Sequence, residues 1–519
     1  GAPPPTPSFF RRGLFALLCA GFFFTEANAQ NVVALRHDLD SLFSDTAFSN
    51  ATFGVAIQSL KTGEFLYRRN NTKSLLPASN MKLFTTAEAL ALLGPDYRYK
   101  TELLTNGRIK GHTLYGDLIL RGVGDPSLDT AIEGPAWMHT TFENWAETLR
   151  SRGIRRILGN IVGNDSYFTP EFYPVGWAVD DLSYYYAPEV TSLVVNEGQV
   201  DAIVVGRKEI GQKPKWECDP SQEYLTVINN AVTIGTGGGV EITGNDTLLK
   251  IYAVPSIDIS RIIGTDTIII SGTIPQSSSP NSLAYQEISI HNPARYAAFS
   301  FKRALKQNKI RINGKALTSR DTLSAKYIAV AIDTSSPLSQ LVQTMNKTSD
   351  NLYAECLFLT VAKEIGGEGS WTRGIAVMRK YLATIGIDTT RLQFTDGSGL
   401  SRMDLVTADD IVKLLAYWYP RAGAGTAPLQ ADSALYNSLP IMGVDGTLEN
   451  RLKGTPAEGN VHAKTGSMTG VRSISGYLST RDGEPIAFSI LANNYTVPGS
   501  EIGKLEDQVL LRLVNFSHR

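Results

Sequence analysis

The chain has 519 residues, 43% of them hydrophobic and 19% charged, a globular composition too long for one ordinary core, so two to four domains are expected. A formal net charge of -1, with no basic stripe interleaved with aromatics, lacks the electrostatic footprint of a nucleic-acid binder. Three cysteines and six scattered histidines support neither a metal site nor a disulfide framework, and no cofactor is implied.

In chain order, Arg11 and Arg12 precede an apolar run from Gly13 to Phe24, and Ala27-Asn28-Ala29 follows with small residues at both key positions. That order is the pattern of a secretory signal over residues 1–29, with cleavage expected after Ala29 and export as its consequence. The apolar run is too short to span a bilayer of about 30 Å. Cys19 lies inside the run, but Leu18 before it is a poor match to a lipoprotein signal. Nothing in the later sequence supplies a second anchor, and a loose membrane association stays open.

Residues 53–68 alternate around a glycine turn and predict a β-hairpin. A helix is predicted from Pro77-Ala78-Ser79 to about Leu93. Residues 98–290 are rich in short β-type runs separated by Gly, Asn and Asp, with helical character over 134–152 alone. Helical periodicity returns at 292–307, 336–364, 370–386 and 406–418. Strands at 470–480 and 485–494 and an amphipathic helix over 502–515 close the chain. The plan is an α/β domain interrupted by a long β-rich insertion and completed by helices and antiparallel strands. Expected bounds are 30–97 and 291–519 for the divided domain, with inserted domains at 98–200 and 201–290.

Three short segments carry chemistry. Ser79-Asn80-Met81-Lys82 stands at a helix start, where residues three apart share a face and a hydroxyl can meet an amine. Desolvation favours the neutral amine, which can then act as base toward the hydroxyl, while the helix N-terminus offers N–H groups to a developing oxyanion. Ser349-Asp350-Asn351 precedes an apolar helix and could aim a hydroxyl and an amide into a cleft, although alone it is an ordinary N-cap. Lys464-Thr465-Gly466-Ser467 places a cation, two hydroxyls and a glycine on a strand-like segment, suited to a carboxylate ligand. Lys61-Thr62-Gly63 repeats the tripeptide, but at the hairpin turn, and Ser279-Pro280-Asn281 repeats Ser-x-Asn in a polar loop without a following helix. Both are set aside.

Ser-x-x-Lys, Ser-Asp-Asn and Lys-Thr-Gly in this order are shared by penicillin-binding proteins and class A β-lactamases. With these motifs, 270 residues between Ser79 and Ser349 and 115 between Ser349 and Lys464, the chain resembles the low-molecular-mass class C penicillin-binding proteins. These are the D-Ala-D-Ala carboxypeptidases and endopeptidases of peptidase family S13. The likeness extends over nearly all of 50–515, through LLPASNMKLFTTAEALALLG, YGDLILRGVGDPSLD, GNDSYF, FTDGSGLSR and GVDGTLENRL.

The resemblance implies a β-lactamase/transpeptidase-like domain, an antiparallel sheet flanked by helices, with two small domains inserted between the first two motifs. It implies that Ser79 is acylated, that Lys82 is the acylation base and that Ser349 helps pass protons. Asn351 would hold the substrate amide, Lys464 and Thr465 the terminal carboxylate, and the N–H groups of Ser79 and Ser467 the oxyanion. Asp165, in GNDSYF, matches a family position implicated in binding the free end of a diaminopimelate-type side chain, and reads equally as a turn aspartate. Partners would be peptidoglycan stem peptides in the periplasm, with β-lactams as inhibitors. The sequence holds no Glu-x-x-Leu-Asn segment, the loop bearing the deacylating Glu of class A β-lactamases, so a β-lactam acyl-enzyme should persist. A β-lactamase or esterase on the same scaffold is the alternative enzyme, and a cell-wall binding module with a dead site the alternative class.

Overall fold

A computed structural model of the chain describes residues 31–128, 140–219, 224–235, 239–244, 247–252, 256–324, 326–419 and 429–518. The expected signal segment, 1–29, and the first part of the helix expected over 134–152 lie outside these residues.

The hairpin forms as Thr52–Ser59 and Phe65–Arg69, turning at Gly63, whose φ of 80° suits a residue without a Cβ. It joins three later strands in an antiparallel sheet, in which Thr52–Ser59 pairs with Pro485–Asn493, then Val471–Ser479, then His462–Met468 at the edge. Period-2 alternation assigns the two faces. Val55, Ile57, Phe488 and Ile490 point into a core shared with the 31–43 helix and the Gly499–Asn515 helix. Ala56, Ala487 and Leu491 point into the opposite core, which holds helices Met81–Leu92, Leu338–Thr348, Asn351–Gly366, Trp371–Thr384 and Ala408–Trp418. The sheet is therefore sandwiched between helical layers.

The helical periodicity over 336–364 is carried by two helices, broken at Ser349-Asp350, where the N-cap character of Ser349-Asp350-Asn351 places the second helix's start. The hydrophobic periodicity runs through the break, because both helices bury their apolar faces in one core. A helix at Leu429–Ser438 and strands at Arg311–Ile312, Ala316–Ser319 and Ile328–Thr334 carry no signal in the sequence pattern.

Between Lys100 and Thr334 the chain builds a second core. Strand Ile328–Thr334 pairs with Lys100–Thr105, and Ala316–Ser319 pairs with Ile161–Asn164. Helix Pro293–Gln307 buries Tyr296, Phe301 and Leu305 in this core. Strands Gln199–Val205, Lys215–Asp219 and Leu283–Ser289 form a separate three-stranded sheet. Part of the same Lys100–Thr334 span also reaches the first core near the motifs, where Phe168, Val190 and Val194 are buried and the Trp177 indole donates to Asp396 at 2.9 Å.

Candidate active site

The nucleophile candidate stands on a strained turn. Ala78–Asn80 form one 3₁₀ turn that runs into the Met81–Leu92 helix, and Ala78 has φ 46°, the left-handed region that an L-residue occupies at a cost of about 1–3 kcal/mol. Neighbours hold it there. Ser473 Oγ donates to Pro77 O at 2.6 Å, Asn80 donates to Ser473, and Gly399 packs so closely that a Cβ would stand 1.9 Å from Ala78 O.

One turn on, Lys82 is fully buried and its Nζ has three partners, Ser79 Oγ at 3.0 Å, Asn351 Oδ1 at 2.5 Å and Ser398 O at 2.9 Å. Two of these are pure acceptors, and the third is a hydroxyl able to donate. A neutral amine, with two N–H bonds and one lone pair, satisfies all three. Burial lowers the Lys82 pKa to about 8, against the opposing pull of Asp350, Asp396 and Glu355.

Ser349-Asp350-Asn351 is the elbow between two helices. Ser349, φ 65°, caps the Leu338–Thr348 helix, Asp350 accepts from Tyr353 N–H at 2.8 Å as N-cap of the next, and Asn351 is that helix's first residue. Asp350 therefore supplies the ordinary capping function, which leaves the flanking residues free to face the cleft. Asn351 gives its amide N–H to Tyr186 O at 2.7 Å while its oxygen meets Lys82.

Lys464 lies on the edge strand His462–Met468, fully buried, and donates to Ser349 Oγ and to Thr465 O, each at 2.8 Å. Its pKa falls well below the usual lysine range, through burial and through repulsion from Lys82. Thr465 Oγ1 is 2.7 Å from Thr447 Oγ1, which the GVDGTLENRL segment contributes. Gly466 is the close approach. A Cβ there would stand 2.3 Å from Ser473 Oγ and 2.9 Å from both Pro77 O and Ser79 N. Gly466→Ala is expected to push the nucleophile out of place and to slow acylation about 100-fold, measured as the second-order rate of fluorescent-penicillin labelling. A rate within about threefold of wild type would remove this role from Gly466.

Ser79, Ser349, Asn351, Thr465 and Ser467 all line one cavity of about 900 Å³. The two lysines lie beneath this wall, not on it. The far side is built by the insertion, with Asp181, Tyr185, Tyr186, Glu197 and Glu287. Asp165 is outside the lining. It follows strand Ile161–Asn164 and pairs with Arg320 at 2.8 Å, while burial pushes its pKa up. Ser398, whose carbonyl meets Lys82, and Glu355, which accepts from the Ser398 amide, are not singled out by the sequence pattern. Ser398 lies within the FTDGSGLSR segment, but nothing in that segment marks a backbone carbonyl as a lysine ligand.

The chain matches the D-Ala-D-Ala carboxypeptidase 3 (S13) family over residues 35–513. It belongs to that family. A D-alanyl-D-alanine carboxypeptidase of Actinomadura sp. (strain R39) is 33% identical over 515 residues, covering 96% of this chain and 88% of that protein. The D-alanyl-D-alanine carboxypeptidase DacB of Haemophilus influenzae is 27% identical, with 85% of each chain covered. The crystal structure of penicillin binding protein 4 (dacB) from Haemophilus influenzae matches with a TM-score of 0.77 at 23% identity, over 92% of this chain and 99% of that one. The S13 fold thus accounts for the long gap between the first two motifs, which the second core fills. Among the described residues no helix is long and apolar enough to cross a membrane.

Proposed function

We propose that this S13 protein is a serine DD-peptidase of the bacterial cell wall, exported to the periplasm, that acts on peptidoglycan stem peptides through an acyl-enzyme on Ser79. The observation that carries the reading is the Lys82 clamp, a buried amine whose two fixed acceptors aim it at a nucleophilic hydroxyl 3.0 Å away.

Lys82 takes the Ser79 proton as Oγ attacks the carbonyl carbon of the penultimate D-Ala. The oxyanion is met by the N–H groups of Ser79 and Ser467. The Cα-carboxylate of the leaving residue is met by Thr465 and Thr447, with the Lys464 charge beneath. The C–N bond breaks as the leaving amine gains a proton through Ser349, and water then hydrolyses the ester. A β-lactam forms the same ester, but its leaving amine stays tethered, so the acyl-enzyme lasts and the drug inhibits. Asn351 fixes both the base and the substrate amide. Asp165, paired with Arg320, would reach a stem-peptide side chain only if that pair opened. The chain between Lys100 and Thr334 forms the inserted portion, and the flanking residues form the catalytic domain.

Both carboxypeptidase and endopeptidase action suit a cavity of about 900 Å³, which has room beyond the D-Ala leaving group for part of a second stem. Incubation with a defined monomeric pentapeptide muropeptide and a cross-linked dimer, followed by chromatography and mass spectrometry, is expected to show loss of one D-Ala, conversion of dimer to monomers, or both. Binding of muropeptides without any acyl-enzyme would overturn the reading in favour of a binding module. Rapid nitrocefin turnover would overturn it in favour of a β-lactamase.

A further inference from the structure

The helix that presents Asn351 carries a second polar group one turn on. Glu355 is fully buried. Both its oxygens accept from Gly397 N–H at 3.1 Å, Oε1 accepts from Ser398 N–H at 2.8 Å, and Oε2 accepts from the Trp371 indole N–H at 2.7 Å. The same Ser398 residue turns its carbonyl to Lys82. Asp396 secures the rest of the loop, accepting from Gly399 N–H at 2.6 Å and Ser401 N–H at 2.7 Å.

Burial and the neighbouring Asp396 push the Glu355 pKa up to about 8. Each of its partners is nevertheless an N–H donor, and those fixed donors favour the ionised form by replacing its lost hydration. The Gly397 and Ser398 donors belong to the loop that supplies the lysine's carbonyl ligand. We propose that Glu355 is a positioning residue for Lys82, holding the Ser398 carbonyl on Nζ so that the amine's lone pair faces Ser79 Oγ. One helix then sets both fixed acceptors of the lysine, Asn351 directly and Ser398 through Glu355. If the Ser398 peptide turns away, the amine can rotate an N–H toward Ser79, and a hydroxyl facing a donor cannot pass on its own proton. The proposal rests on Lys82 being the base.

The carboxylates turned toward Lys82 are Asp350, Asp396 and Glu355, and each favours its ammonium form, whereas Lys464 repels it. Burial and Asp396 leave Glu355 ionised above about pH 8. Loss of the Ser398 contact and, above that pH, loss of the Glu355 charge both favour the neutral amine, so the acid limb of acylation should move to lower pH.

The test uses fluorescent-penicillin acylation rates across about pH 5–10 for wild type, Glu355→Gln, Trp371→Phe and the double variant, with thermal unfolding of each. The glutamine side chain keeps one acceptor, but its NH₂ faces the Trp371 indole N–H, or else the Ser398 amide, donor to donor. Glu355→Gln is expected to acylate about 10- to 100-fold more slowly, with its acid limb displaced to lower pH. Trp371→Phe removes the clashing donor, so the double variant should recover at least about fivefold over Glu355→Gln. If Glu355→Gln matches wild type in rate and pH limb, or only lowers the unfolding temperature, the positioning role is wrong. A wild-type protein that does not acylate at all would instead overturn the reading of Ser79 and Lys82.

Discussion

Ser79→Ala is expected to abolish covalent uptake of a fluorescent penicillin and to lower peptide turnover by a factor on the order of 10⁵–10⁶, as loss of a serine nucleophile does elsewhere. The methyl group offers no lone pair, and a water in its place would have to attack without the covalent step that divides the reaction in two. Folding should survive. Ser79 is partly exposed, and its hydroxyl meets Lys82, which keeps Asn351 and Ser398 as partners. Ser349 also lines the cavity and is backed by a lysine, so it is the competing nucleophile. In-gel fluorescence with intact-mass analysis decides between them. Retained labelling of Ser79→Ala, with loss in Ser349→Ala, would transfer the nucleophile to Ser349.

The site is legible in the sequence because its chemistry depends on short-range spacing. Ser79 and Lys82 share a helical face by their three-residue separation, and Lys464, Thr465 and Ser467 sit on one strand. What the spacing does not show is that Lys464 is buried and bonded to Ser349 Oγ and Thr465 O, since an edge-strand lysine ordinarily points to solvent. Glu355 is hidden for another reason. It lies in an apolar helix, and apart from the Trp371 indole its partners are backbone amides more than forty positions away, where no side-chain pattern marks them.

The fold obeys the same rule. The hairpin and the two last strands announce themselves by alternation. The run 293–334 reads as part of the catalytic domain, because its helical periodicity resembles that of the helices after it. Its strands nevertheless pair back to 100–164, a long-range register that local periodicity does not encode. The apolar periodicity runs unbroken through residues 349–350, and only the N-cap character of Ser349-Asp350-Asn351 marks the break that a left-handed serine and a capping aspartate make there.

Lys82→Met is expected to slow acylation by about 10²–10⁴-fold, the range general-base catalysis supplies. In wild type the neutral amine rises with pH until the Lys82 pKa of about 8 is passed, so acylation should climb about tenfold per pH unit below that point and level off above it. The methionine variant should lose this climb as well as the rate. Its side chain fills a similar volume and removes a buried amine, but leaves Asn351 Oδ1 and Ser398 O without their donor, at about 1–3 kcal/mol each. A lower unfolding temperature is therefore expected alongside the kinetic loss, and a folded fraction must be measured before rates are compared.

Lys464 supplies the control that makes this prediction sharp. It too is buried with a lowered pKa, and the two lysines repel, so one of them is neutral more readily because the other is charged. If Lys82 is the base, Lys464→Met weakens peptide binding through Ser349 and Thr465 but keeps a rise of rate with pH, moved upward because the repulsion on Lys82 is gone. If Lys464→Met erases the rise and Lys82→Met keeps it, the proton leaves Ser79 by way of Ser349 and Lys464, and Lys82 serves only to hold the charge balance of the site.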